Sequence, residues 1–219
     1  METLRTKTSW DRLDEAIASG GVNNSLHLAE KCGKVSIMQQ DSLVSFAAMA
    51  LTSLAVSCGE PELEKFFRER YGPQAKSWIE TTPDARGSAE RLAVLLDSPK
   101  TKITLVEELD RYVLTPDPCR TGGRLRKGVS CGSVMLPGVK IGETKRAYPW
   151  SWGKKGVCYY CVHDCLLMEI IPIELRGYPI AVVEYGEKAG EPCSFLFYKE
   201  PGLIPEEYFT RVGKVKVVK

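Results

Sequence analysis

The spacing of apolar residues changes near residue 100, and that change constrains the fold more than any other feature of the chain. Upstream, apolar side chains recur at helical intervals. SWDRLDEAIASGG has a Ser9 start, an acidic first turn and a Gly20–Gly21 stop, and NNSLHLAEKCG ends on Gly33. A long buried helix is expected over 39–58, closed by Gly59. PELEKFFRERYG begins with Pro61 in a first turn and stops at Gly72, and SAERLAVLL forms a further amphipathic stretch over 88–96. Downstream, the period falls toward two. KITLV and RYVLT flank EELD as a hairpin, and YPIAVVEY and CSFLFYK supply two more strands. Helices followed by strands predict an α+β fold: an N-terminal helical layer, 1–99, packed on a C-terminal antiparallel sheet within a Cys-rich part, 100–219. No proline-rich linker divides them, so one compact domain is expected.

Composition excludes several classes. A net charge of +2 spread over 219 residues does not favour nucleic acid as a partner. The N-terminus METLRTKTSWDRLDEA is charged and lacks the apolar core of a secretory signal. The most apolar window, 42–58, contains five Ser or Thr residues and is short for a bilayer span, so a core helix is expected there rather than a membrane segment. A cytoplasmic location follows as the expectation, and eight cysteines then read as a thiol or metal set rather than a disulfide framework.

Six of those cysteines lie after residue 118: Cys119, Cys131, Cys158, Cys161, Cys165 and Cys193. Cys32 and Cys58, at helix ends, read as small buried hydrophobes. The stretch CYYCVHDCLLME, 158–169, also contains His163, one of two histidines; His27 reads as a helix-surface residue. Cys158 and Cys161 form a C-x2-C pair, whose spacing lets both sulfurs turn onto one ion. Cys119, Cys158, Cys161 and Cys165 are the candidate ligands, with His163 as an alternative and Cys131 a further donor from the same loop. Zinc or an iron–sulfur cluster is the corresponding cofactor, although no second C-x2-C completes a zinc pattern and Leu166 stands where an iron–sulfur run has proline.

The same residues also fit a nucleophile. DCLLMEII is helical in pattern until Pro172, which places Cys161 just before a helix start, where unpaired N–H groups favour a thiolate. Cys161 is then the candidate nucleophile, with His163 or Asp164 as proton carrier. The loop DPCRTGGRLRKG, 117–128, offers Arg120 and Arg124 as clamps for a substrate carboxylate; a tight turn with solvated arginines is the plain alternative. Tyr148, Trp150 and Trp152 could wall a small-molecule pocket or pack on the core. Glu169, Glu174 and Glu184 are carboxylates whose facing the sequence leaves open.

A cysteine opening a short helix with an acid three residues on (Cys161, Asp164) is followed by Pro172, a strand, and G-x-x-C-x-F at Gly190, Cys193 and Phe195. This pattern resembles the 2-amino-thiazoline-4-carboxylate hydrolase-like family and, more distantly, the 4-vinyl reductase-like ligand-binding domains. The resemblance is confined to the C-terminal part. It implies an α+β fold with a small-molecule pocket, hydrolytic opening of a cyclic amidine, and site roles for Cys161, Asp164 and Cys193. Extra cysteines at 158 and 165, the PCRTGG loop and Glu191–Pro192 depart from the family pattern.

Three readings result. The first is a cytoplasmic enzyme acting on a small anionic molecule through Cys161, with Arg120 or Arg124 and the Trp150, Trp152 and Cys193 side chains holding it. The second is a zinc or iron–sulfur protein, and the third a non-catalytic small-molecule-binding module. The expected partners are a small-molecule ligand or substrate and, in a homo-oligomer, further copies of the chain. Neither nucleic acid nor a membrane is expected.

Overall fold

A computed structural model describes residues 9–82, 84–98, 101–126, 141–188 and 191–218. The architecture is α+β, with helices first and a four-stranded antiparallel sheet after them. Four helices lead: α1 (Ser9–Ala18), α2 (Val22–Cys58), α3 (Pro61–Thr81) and α4 (Ala85–Leu96). Strands β1 (Lys102–Glu107) and β2 (Arg111–Asp117) form the expected hairpin. After β2 come α5 (Gly122–Arg126), a 3-10 turn (Pro149–Ser151) and a helix in three parts: α6 (Val162–Asp164), a π turn (Cys165–Ile170) and α7 (Ile171–Arg176). Strands β3 (Val182–Glu184) and β4 (Ser194–Tyr198) complete the sheet in the order β1-β2-β4-β3, and α8 (Glu207–Thr210) follows. α4 lies on the sheet, and the three-part helix packs against α3 and β3.

Three helices run past the residues expected to stop them. α2 passes through Gly33 without a break. α3 passes through Gly72 and Pro73. An interior proline costs about 3 kcal/mol, but Ala75 and Trp78 beyond it are fully buried, and burying an indole offsets a cost of that size. Pro172 likewise does not end its helix, because the preceding π turn rearranges the bonding. Pro172 has no N–H to give the Met168 carbonyl, which instead accepts N–H groups from Ile180 at 2.8 Å and Ala181 at 3.3 Å. The missing bond therefore becomes the joint that leads into β3.

The expectation of a buried helix over 39–58 is corrected. Only one face of α2 is covered, by Asp41, Val44, Ala48, Leu51 and Ala55, while Leu43, Phe46 and Val56 are exposed. Cys58 is exposed rather than buried, whereas Cys32 is buried as expected. His27 is on the surface. One hydrophobic cluster runs through both halves of the chain, from Val44 on α2 to Val212 after α8.

α2 is anchored by charge as well as by packing. Asp41, 3% exposed, accepts two hydrogen bonds from Arg124, Nε at 3.0 Å and Nη2 at 2.6 Å. Arg124 thus clamps a carboxylate in the protein's own core. Arg124→Ala leaves that carboxylate buried without its guanidinium and should cost about 3–5 kcal/mol; urea unfolding monitored by circular dichroism measures the loss.

Candidate functional site

Beyond β2 the chain crosses a cis Asp117–Pro118 bond and places Cys119 at the mouth of α5. The paired glycines there answer to close packing. A Cβ on Gly122 would collide with the Cys161 sulfur, and one on Gly123 would lie 3.5 Å from Cys119 Sγ. The Gly123 N–H donates to Cys119 Sγ at 3.1 Å. The other wall comes from the turn at 158–161 and from Cys193, which leads into β4. Cys119, Cys161, His163, Asp164 and Cys193 line one small cavity with Thr121, Phe195 and the glycines, under Leu92 and Leu96 of α4; its volume is about 40 Å³. About 10–15 Å³ of such space holds one water, and a cavity of about 150 Å³ takes a benzene ring, so this one suits a few waters or an ion and not an organic ring.

The C-x2-C turn is set up to hold negative charge on sulfur. Cys158 Sγ accepts the Cys161 thiol and the backbone N–H groups of Cys161 and Tyr160, and the Arg126 charge lies nearby; together they lower the Cys158 pKa against the effect of burial. Cys161 is pushed well up, first by donating its proton to Cys158 and then by burial, with Cys119 and Cys193 adding to the effect. The pair therefore titrates as a unit. Burial raises Cys193 to about 11, opposed by a backbone N–H bond from Gly186. Arg126 is fixed by donating to the Gly186 and Lys188 carbonyls and by stacking 4.5 Å over the Tyr185 ring. Among the described residues, no group of three or more Cys, His, Asp or Glu side chains is arranged so that it could hold a metal ion.

His163 sits in an aromatic recess, stacked on Tyr71 with centroids 5.4 Å apart and edge-on to Tyr160 at 5.1 Å. Its Nδ1 is 2.5 Å from the Tyr160 carbonyl, so Nδ1 carries a proton, and Nε2 is 3.3 Å from Asp164 Oδ1. Burial raises the Asp164 pKa against the opposing influence of His163. The carboxyl and the imidazole face each other at the edge of the same cavity.

Other expected site residues are engaged elsewhere. Arg120 Nη1 donates to the carbonyls of Leu95 and Asp97, and Arg124 is paired with Asp41. Trp150 and Trp152 are core residues, Trp150 stacked on Tyr148 at 4.5 Å and Trp152 on Tyr185 at 5.3 Å. Cys165 does not line that cavity, and its thiol donates to the Pro149 carbonyl at 3.5 Å. Cys131 and Gly190 lie outside the described residues. The three positions matched by the family resemblance, Cys161, Asp164 and Cys193, line the same cavity. No protein family, curated protein or solved structure matches this chain.

A second buried polar centre lies beside the first. The π turn carries Glu169 fully inside, where its Oε1 accepts from Trp152 Nε1 at 2.7 Å, Val183 N at 2.8 Å and Arg211 Nη2 at 2.9 Å. Oε2 has no hydrogen-bond partner among the described residues. Glu174, by contrast, pairs with Arg68 and Lys214 near the surface, and Glu184 lies 3.9 Å from Arg211. Burial raises the Glu169 pKa to about 6 from 4.5, although Arg211 and the N–H donors resist. The folded state thus binds this proton more tightly than the unfolded chain does. Its contribution is full below pH 4.5 and is lost as the pH rises through 6, a decline of about 2 kcal/mol. Unfolding free energies of wild type and Glu169→Gln, measured at several pH values from 4 to 7, should show this decline in the wild type alone.

Proposed function

We propose that this protein binds a single transition-metal ion, zinc by ligand type, through the sulfurs of Cys119, Cys158, Cys161 and Cys193. The supporting observation is the convergence of Cys119, Cys161 and Cys193 from three separate segments on one cavity of about 40 Å³; Cys158 does not line it but is hydrogen-bonded to Cys161. The donor environment fits thiolates. Cys119, Cys158 and Cys193 each accept a backbone N–H, a bond that stabilises charge on sulfur. Zn–S bonds of about 2.3 Å place tetrahedral sulfurs about 3.8 Å apart, so the four side chains must rotate inward around the cavity to close on an ion. An iron–sulfur cube is too large for it. Four sulfur ligands leave no open position, so the ion's role is structural: it fastens α5 and the 158–161 turn to the start of β4. Cys165 is not among the ligands in this reading, and Cys193 takes its place.

A reaction centred on Cys161 has less in its favour. The thiol is buried and holds its proton, the cavity does not admit a ring, and Arg120 and Arg124 are already bonded to the protein. What favours that reading is the Asp164–His163 contact at 3.3 Å, which lines the same cavity as the Cys161 thiol.

Anaerobically purified protein should contain close to one equivalent of zinc. Cys119→Ser or Cys193→Ser should remove most of it, whereas Cys165→Ser and Cys32→Ser should retain it. Under a tenth of an equivalent as purified, with no uptake of added Zn²⁺ or Co²⁺, would overturn the proposal. So would a brown protein rich in iron, or turnover that needs Cys161 in metal-free protein.

A further inference from the structure

Between Val35 and Cys58 the only charged residue is Asp41, which is buried against Arg124. The covered face of α2 lies on the body of the protein. On the opposite side Val35, Met38, Leu43, Phe46, Met49 and Val56 form a mostly apolar stripe, interrupted by Gln39, Ser42, Ser53 and Ser57 and exposed by 37% at Val35 and 71% at Val56. At 100° per residue these six fall within one arc of about 140°, centred opposite Val44, Ala48 and Leu51. A helix that is apolar on both faces is normally buried on both. We infer that this stripe is the self-association surface of a two-fold symmetric dimer, in which α2 packs antiparallel on α2 of a second copy.

The order of side chains along the stripe fits a two-fold axis at Phe46. An antiparallel crossing centred there sets Phe46 against Phe46 of the second copy, Leu43 against its Met49, and Val35 against its Val56. Both ends and the centre are then filled by apolar pairs, and the small Ala50 and Ser53 between them let the helices approach. The stripe is about 33 Å long and, with its flanking residues, offers roughly 600–800 Å² per copy, near the ~800 Å² a side of a standard interface.

A lipid surface fits the same stripe less well. α2 is long and apolar enough to cross a membrane by length and composition. Spanning, however, would pull the Asp41–Arg124 pair and the Thr52–Gly142 hydrogen bond into hydrocarbon. A helix lying in a membrane surface carries Lys or Arg along its flanks, and 35–58 contains neither. This inference is independent of the metal.

Light scattering after size exclusion, without detergent, should give twice the 24.3 kDa chain mass at micromolar concentrations. Leu43→Glu with Phe46→Glu should yield a monomer of unchanged helical circular dichroism, with dimer affinity lowered roughly 100-fold or more, because the charges would be buried unpaired. Val94→Glu, on the exposed side of α4, should leave the dimer intact. If the double variant fails to fold, Ser53→Arg adds a charge to the same stripe and provides the same readout. A wild-type monomer across tens of micromolar would overturn the inference. A dimer that survives these charges, or a monomer that floats with phospholipid vesicles, would do the same.

Discussion

One buried carboxylate oxygen holds together the part of the molecule that matters most. Glu169 Oε1 receives an indole N–H, a backbone N–H from β3 and a guanidinium from the segment after α8. Those donors lie at 152, 183 and 211, so a single atom ties the 3-10 turn, the edge of the sheet and the C-terminal segment to one helix. A buried acceptor with three good donors resists displacement, because losing it would leave each donor without a partner in a dry interior. It also explains how Trp152 keeps a left-handed backbone, with φ at 55°: the indole is stacked on Tyr185 and bonded to Glu169, so the cost of that conformation is met elsewhere.

The thiols depend on the same helix. Its first turn carries His163 and Asp164, and the Cys158–Cys161 turn leads directly into it. The helix is fixed from below by Glu169 and from the side by α3, so Cys161 meets Gly122 and the α5 loop at a distance only a glycine tolerates. Cys193 arrives by another route, through the pairing of β4 with β2 and β3. The cavity is therefore a product of tertiary structure. Local sequence sets Cys161 beside His163 and Asp164, and the α5 loop, α4 and the start of β4 supply the rest of the wall.

Legibility in the sequence followed the same division. The switch in period near residue 100 was readable because amphipathic helices and alternating strands are local patterns, and both strand pairs lie where alternation put them. Helix ends were misjudged at Gly33, Gly72–Pro73 and Pro172. A breaker's cost of about 1–3 kcal/mol is a local quantity, whereas the burial of Trp78 that outweighs it depends on the distant packing partners. Arg124 illustrates the limit. Its partner Asp41 is 83 positions away, and nothing near either residue distinguishes a clamp for a ligand from a clamp for the core. C-x2-C was legible from spacing alone, while the absence of Cys165 from the cavity lining was not, since the π turn that begins at Cys165 shifts which way successive side chains face.

The proline at 172 leaves one carbonyl of its helix open, and the chain uses that vacancy as a dock for its own later segment at Ile180. An alanine there would restore an amide that competes for the same oxygen. The helix would then be locally more regular and the sheet less firmly seated, so a substitution that improves intrinsic helix propensity would weaken the fold as a whole.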